Sequence, residues 1–584
     1  MVQPFVRPGT PNLADYRAAR RDFTWSQARG WLDGLPGGRG LNLAYEAVDR
    51  HAAPLRDKAA IRFVRSDTEI SELTYGELAE ATSRFANLLA ELGVGAGERV
   101  CTYLTPRPAL YVAALGTMKR GAVYTPLFPA FGPEPVAQRL SLSRARVLVT
   151  TAQLYARRIA PLRDRLPELR HVLIADADTA PPGTVALDAA LRSARGRYEI
   201  PATDPEQPAL LHFTSGTTGR PKGAVHVHDA AVAHYASARF ALDLRPDDVF
   251  WCTADPGWVT GTSYGILAPL MHGVTVVSVA ADFEARRWYR ILDRMRVTVW
   301  YTAPTAIRML MRYGDELPGD YDLSRLRHAA SVGEPLDAAA VRWSTATLRH
   351  PFHDTWWQTE TGSIMISNFP AVDIRPGSMG LPMPGIEVAL LARGPDGRAR
   401  VTGGAVTPIV EPEVEGEIAL RRGWPSMFRD YLDQPERYAG CFADDWYLTG
   451  DIARRDADGY YWFAGRADDV IKSAGHLIGP FEVESVLMDH PAVLEAGVIG
   501  RPDPVAGERV KAFVTLRPGE RPTEPLRQEL LAFARLRLGG IAPREIAFEP
   551  NLPHTRSGKV LRRLLRARDL GLDAGDLSTL ESQP

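Results

Sequence analysis

An α/β protein built in two unequal parts is what this sequence predicts, on three observations. Short runs of β-branched and aromatic residues alternate with helical patterns along the first two thirds of the chain, the ordering of largely parallel sheets with helices on their faces. The texture then changes to Gly, Pro and Val over 392–417, which suggests hairpins, and a compact α+β pattern follows Gly465. At 584 residues the chain is also too long for one ordinary core, so at least two domains are expected.

In order, "TYGELAEATSRFANLLAELG" (74–93) reads as an amphipathic helix opened by a capping box from Thr74 to Glu77. "RVCTYLTP" (99–106) is a short apolar strand, and "ALYVAALGTMKRGA" (109–122) a helix. Further strands are "RVLVTT" (146–151), "HVLIAD" (171–176), "ALLHF" (209–213), "DVFWCTA" (248–254), "VTVVSVA" (274–280) and "VTVWYTA" (297–303). Beyond Gly465, "FEVESVLMDH" is helical, "VLEAGVIG" and "RVKAFVTL" are strands, and "EPLRQELLAFARLRL" is a helix. The boundary falls near 466–470, dividing the chain into 1–466 and 467–584.

Bulk properties exclude several classes. A formal net charge of -1 gives no reason to expect a nucleic-acid or membrane-surface partner. Cys101, Cys252 and Cys441 lie far apart with no CxxC spacing, as thiols of a reducing compartment do. The first residues lack an apolar signal core, and nowhere do 18 apolar residues run together. A cytoplasmic protein is expected. The histidines of "HVHD" (226–229) and "HPFHD" (350–354) read as structural, because no third ligand stands at metal-site spacing.

The densest chemical signal is "LHFTSGTTGRPKG" (211–223). A strand runs into a loop of hydroxyls and glycines, Thr214, Ser215, Gly216, Thr217, Thr218 and Gly219, followed by Lys222. Glycines let backbone N–H groups approach an anion, and hydroxyls plus a lysine add donors and charge. It is not a Walker A loop: two residues, not four, separate the glycines, and Lys222 precedes Gly223 rather than Ser or Thr.

This loop resembles the phosphate loop of the adenylate-forming superfamily of acyl-CoA synthetases, peptide-synthetase adenylation domains and luciferases. Further motifs follow in that family's order: "SVGEP" (331–335), "DTWWQTETG" (354–362), "YLTGD" (447–451), "GRADDVIK" (465–472) and "PHTRSGKVLRR" (553–563). Within the superfamily the chain is most similar to acetyl-CoA synthetases of the shorter bacterial type. The resemblance implies a large N-terminal domain of mainly parallel sheets flanked by helices, with a β-barrel-like part, and a small mobile α+β C-terminal domain. It also implies ATP, Mg²⁺ and coenzyme A as cofactor and co-substrates, and a short-chain carboxylate such as acetate or propionate as the acid.

By the same resemblance, Glu360 is the Mg²⁺ ligand, a hard carboxylate for a hard cation, and Thr359 bonds the α-phosphate. Asp451 takes the ribose hydroxyls with Arg466 beside it, and Gly333, Glu334 and Pro335 line the adenine pocket. The rest of the tryptophan motif, Asp354, Thr355, Trp356 and Gln358, lies on the nucleotide. Lys559 reaches the acid and the α-phosphate, and Asp468 is the hinge of a C-terminal domain that rotates between half-reactions. Acylation of Lys559 by a protein acetyltransferase, reversed by a deacetylase, would remove its charge and switch the enzyme off.

The paired tryptophans set specificity. In an extended segment successive side chains point to opposite faces, so Trp356 and Trp357 wall two different pockets. The resemblance puts Trp356 on the nucleotide side and Trp357 in the acyl pocket with Val259, Thr260 and Val332, where its bulk limits the acid to two or three carbons.

Two positions depart from the pattern. Leu477 in "SAGHLIGPFE" stands where relatives carry a phosphate-binding arginine, and Tyr155 stands where some carry a coenzyme A arginine. Arg158 and Arg535 are the remaining candidates for coenzyme A. The residues leave open another short-chain acyl-CoA synthetase, transfer to a carrier-protein thiol, a luciferase-like oxidation, and a non-catalytic nucleotide-binding relative. Trp357 opposes the luciferase reading. Lys222, Glu360, Asp451 and Lys559 oppose the non-catalytic one.

Overall fold

In the computed structural model, the described residues are 10–580 apart from 67, 178, 215–220, 395–396, 468, 470, 474–475, 504–506, 539–540, 556–559 and 573–579. Two large sheets dominate. One has eight strands, with Lys222–Val227, Pro208–Thr214, Val123–Leu127, Arg99–Tyr103, Val147–Thr151 and His171–Ala175 as consecutive neighbours. From Pro208–Thr214 onward these neighbours run parallel, while Lys222–Val227 pairs antiparallel with Pro208–Thr214. The other has nine, and its middle, Phe352–Trp356, His328–Ser331, Val299–Thr302, Val249–Cys252, Thr275–Val279 and Ala59–Val64, is parallel.

The parallel strands are near-continuous Val, Ile, Leu and aromatic runs because helices cover both faces. Helix Tyr75–Glu91 begins at Thr74, whose side chain accepts from the Glu77 N–H while Glu77 returns the bond, and it buries Leu78, Phe85, Leu88 and Leu89. Helix Pro108–Lys119 is buried from Leu110 through Lys119, as a helix between two layers must be.

The Gly- and Val-rich segment lies against a five-stranded antiparallel sheet of Val388–Leu391, Glu415–Arg421, Trp446–Arg455, Phe442–Ala443 and Tyr461–Arg466, with a hairpin, Val401–Thr402 and Ala405–Val406, projecting from it. A last sheet, formed by Ile471–Ser473, His476–Ile478, Val493–Asp503, Gly507–Leu516 and Glu545–Phe548, packs with helices Pro480–Met488 and Glu524–Leu538 on its own apolar core. Its first turn is pressed against the preceding sheet at Gly479, where a Cβ would lie 2.0 Å from the Ala464 carbonyl oxygen. Among the described residues no helix is long and apolar enough to cross a membrane.

Candidate active site

The site forms where strand ends of the large sheets meet the antiparallel sheet. Strand Phe352–Trp356 is buried at every residue. The chain then turns through Gln358–Gly362: the Gln358 N–H donates to Thr361 Oγ1 at 3.0 Å and the Gly362 N–H to the Thr359 carbonyl at 3.1 Å. Gly362 closes the turn at φ +73, and a Cβ there would meet the Ser426 carbonyl oxygen at 2.3 Å, so only glycine serves.

The two tryptophans go to different partners. Trp356 Nε1 donates to Asp451 Oδ2 at 2.9 Å. Trp357 turns the other way: its ring meets Tyr264 edge-on at 5.2 Å, and its Nε1 donates to Tyr301 Oη at 3.3 Å. Val332 belongs to the apolar cluster against which Trp357 packs. Val259 and Thr260 open the helical turn that leads to Tyr264, both half-buried.

Asp451, nearly buried on the strand Trp446–Arg455, is the hub of the other side. Arg466 Nη1 donates to its Oδ1 at 2.8 Å, and Gln358 Nε2 donates to its Oδ2 at 2.8 Å alongside Trp356. Tyr447 Oη in turn donates to Gln358 Oε1 at 2.9 Å and so fixes which end of the amide faces Asp451. Three donors on one carboxylate leave about one of its four lone-pair positions open, and Arg466, 45% exposed, is the most exposed of the three.

Glu360 is aimed from the opposite edge. Tyr431 Oη donates to Glu360 Oε1 at 2.6 Å, and the Phe428 N–H donates to the Glu360 carbonyl at 2.9 Å. Burial, reinforced by the Glu360 charge, holds the Tyr431 hydroxyl protonated as that donor. Lys222 Nζ lies 5.3 Å from the centroid of the same tyrosine ring, and burial pulls its pKa down against the opposing pull of Glu360. Thr214 and Lys222 face each other across the last rung of their antiparallel pair. Ser215, Gly216, Thr217, Thr218 and Gly219 lie outside the described residues. Among the described residues no cluster of three or more His, Cys, Asp or Glu is placed to hold a metal ion. Glu360 has one oxygen bonded by Tyr431, and a hard carboxylate suits a hard cation shared with nucleotide phosphates.

The "SVGEP" turn is braced from behind. Asp354 Oδ1 accepts from Ser331 Oγ at 2.7 Å, and Thr355 Oγ1 donates to the Ser331 carbonyl at 2.7 Å. Both side chains face the fold interior, and burial pushes the Asp354 carboxyl up to about 7. Gly333 is exposed at φ +99 and Pro335 half-buried. The Glu334 carboxylate is taken by Arg308 Nη2 at 2.7 Å and Thr305 Oγ1 at 2.5 Å.

Lys559 and Asp468 lie outside the described residues. The backbone of Leu477 pairs with Lys472. Arg158 points inward, with Nη1 donating to the Phe131 carbonyl, to Ala130 O at 3.3 Å and to Tyr103 Oη at 3.0 Å. Arg535 is exposed in the last turn of helix Glu524–Leu538. Sequence reasoning did not single out Tyr431, Tyr447 or Arg308. Tyr447 begins a quoted motif, but its hydroxyl finds Gln358 across 89 positions of chain; for Tyr431 the separation is 71, and no local pattern signals such a pair.

Comparison with known proteins identifies the arrangement. A family model described as "AMP-binding enzyme" matches residues 48–432, and one described as "AMP-binding enzyme C-terminal domain" matches 482–559. The acetyl-coenzyme A synthetase of Bacillus subtilis is 45% identical over 578 residues, 98% of both chains. That of Deinococcus radiodurans is 41% identical, over 92% of this chain and 85% of that protein. Among solved structures, the acyl-CoA synthetase of Brucella canis is 35% identical with a TM-score of 0.73, covering 95% of this chain and 99% of that one. An anthranilate CoA ligase in complex with anthranoyl-AMP is 29% identical with a TM-score of 0.82, covering 94% and 99%.

Proposed function

The chain belongs to the AMP-binding enzyme family, and from that premise we propose that it is an AMP-forming acetate–CoA ligase. An oxygen of acetate attacks the α-phosphorus of ATP, and pyrophosphate leaves with the bonding electrons, giving acetyl-AMP. The thiolate sulfur of coenzyme A then attacks the acetyl carbon, and AMP leaves. Both halves move negative charge, so the site has to offer donors and cations where that charge develops.

In this reading Asp451 accepts from the ribose, with Trp356 and Gln358 holding its carboxylate in place. Arg466 yields its bond to Asp451 and turns its charge to the phosphates. Gly333, Glu334 and Pro335 border the adenine, with Asp354 and Thr355 supporting that turn. Lys222 and the 214–219 loop take the β- and γ-phosphates, while Thr359 donates to the α-phosphate. Glu360, aimed by Tyr431, holds Mg²⁺, which when bound supplies positive charge to the pyrophosphate. Lys559 brings its ammonium to the acid and α-phosphate, on a C-terminal domain that hinges at Asp468. Arg158 braces the Phe131 segment, and Arg535, out on the surface, is proposed for the nucleotide end of coenzyme A.

The observation that carries acetate is the placement of Trp357. Its indole is lodged against Tyr264 and Tyr301, and in this reading it fills the volume a longer chain would need. Cytoplasmic residence fits three cysteines that are all free, and Lys559 is proposed as the residue an acetyltransferase and deacetylase act on. The test is the initial rate of AMP formation from ATP, Mg²⁺ and coenzyme A with acetate, propionate, butyrate or octanoate. Turnover of acetate and propionate but not octanoate is the expected result; no AMP with any acid despite ATP binding overturns the reading.

A further inference from the structure

Glu495 and His554 meet at 2.7 Å, Nε2 to Oε1, and both side chains are nearly buried. Glu495 comes from the strand Val493–Asp503, and His554 is bridged to Val560, so both belong to the C-terminal part. What faces them belongs to the other part. Arg308 and Arg312, one turn apart on and just after the helix Pro304–Met311, act on the Glu495 charge, and Glu334 and Arg308 act on His554. A small cavity marks the seam, lined by Arg308, Met311 and Asp337 from one side and Met488, Leu494 and Arg517 from the other. Nearby, Arg342 reaches Asp489 across the same seam at 3.6 Å.

Arg308 is a fixed cation. Its Nη2 donates to Glu334 Oε2 at 2.7 Å and to Thr305 Oγ1 at 2.9 Å, and Nη1 lies 3.5 Å from Asp337. Arg308 lines the same cavity as Leu494, the residue before Glu495, and it is the guanidinium that holds the "SVGEP" turn. A buried carboxylate stranded without a partner is costly, yet neither side is stranded if the two parts separate: Glu495 keeps His554, and Arg308 keeps Glu334 and Asp337. Such a contact adds attraction on docking and leaves no orphaned charge on release. A reversible latch needs that property.

We propose that Glu495, aimed by His554, is a positioning residue for the first half-reaction, docking the C-terminal part on Arg308 and Arg312. This rests on the proposed acetate–CoA ligase reading for its consequence. His554 is bridged to Val560, the residue that follows Lys559 in the sequence. On the proposed reading, in which Lys559 serves adenylation, the docking contact belongs to that half-reaction. The thioester half-reaction, which uses a different placement of the C-terminal part, does not draw on it.

The test is Glu495→Gln, which keeps shape and removes charge, with both halves assayed separately in the full-length protein. Acetate-dependent exchange of pyrophosphate into ATP falls at least tenfold, while conversion of synthetic acetyl-AMP and coenzyme A to acetyl-CoA stays within twofold of the native rate. Arg312→Gln, a change on the exposed partner that leaves the C-terminal core intact, gives the same split at about threefold. An equal fall in both halves, or none in either, overturns the proposal. Small-angle scattering of the nucleotide-free protein reads docking independently of substrate: Glu495→Gln expands the particle, and an unchanged curve also overturns the latch. A native protein that shows no acetate-dependent exchange, with the scattering change present, would instead count against the acetate reading.

Discussion

Replacing Trp357 with glycine reads the acyl pocket most directly, and its consequences follow from how the indole is held. The ring is half-buried, with one edge-on contact to Tyr264 at 5.2 Å and one long bond to Tyr301 Oη at 3.3 Å. An edge-to-face aromatic pair is worth about 0.5–1.5 kcal/mol, and a hydrogen bond of that length no more than about 1 kcal/mol. These come on top of the apolar area the ring removes from water, and because that ring is only half-buried the total stays below the ~3–5 kcal/mol of emptying a fully buried tryptophan site. Each methylene admitted to the vacated space gains about 0.8 kcal/mol. Butyrate, longer than acetate by two methylenes, gains ~1.6 kcal/mol, or roughly 15-fold in kcat/KM relative to acetate. Propionate gains about fourfold by the same arithmetic. The assay is kcat/KM for the acid series in native and variant proteins, with melting temperatures as the check on folding. A folded variant whose butyrate-to-acetate ratio moves by less than about threefold refutes the claim that Trp357 limits chain length.

Four further outcomes are expected. Asp451→Asn turns one of the two acceptor oxygens into an NH₂ donor, which confronts either Arg466 or the pair Trp356 and Gln358; with a bond to a charged group worth about 1.5–3 kcal/mol, the KM for ATP rises roughly 10- to 100-fold while that for acetate holds, and an unchanged ATP KM refutes the hub. Tyr431→Phe keeps the ring beneath Lys222 and removes only the hydroxyl on Glu360, so the Mg²⁺ concentration for half-maximal exchange rises about tenfold; identical Mg²⁺ titrations would show that Glu360 needs no such guide. Protein carrying acetyl-lysine at 559 loses adenylation because the charge is gone, and an unaltered rate rules out that switch. For the His554–Glu495 pair, burial alone would lower the imidazole pKa, but the Glu495 bond and charge outweigh it and leave it raised; Glu495 ends lowered despite burial, chiefly through His554. The pair's stabilisation is therefore complete below the usual imidazole range and above the usual carboxylate range, and fades as pH climbs through the raised histidine value. His554→Asn should lower Tm more at about pH 6 than at about pH 9, and an equal loss at both would show that the ion pair is not what His554 contributes.

What was legible in the sequence, and what was not, divides by the range of the interaction that sets it. The helix at 75–91 was readable because its start is a bond between residues three apart, Thr74 and Glu77, and its buried face repeats within one turn. The divergence of Trp356 and Trp357 was readable for the same reason, since alternation along a strand is a property of adjacent residues. The order of strands in the two large sheets needs contacts that no window contains: Ala59–Val64 lies beside Thr275–Val279. The same limit hid Tyr431 behind Glu360 and Arg308 behind Glu334. It also hid the direction of Arg158, a residue that motif position assigns to a ligand and that the fold turns toward the carbonyls of Ala130 and Phe131. Residues that touch substrate sit in short motifs because their spacing must match a small molecule. Residues that hold them sit wherever the fold brings a donor to the unfilled lone pair. A change at Tyr431, Tyr447 or Glu495 should therefore alter activity as surely as a change inside a motif, although nothing adjacent in the sequence marks those positions.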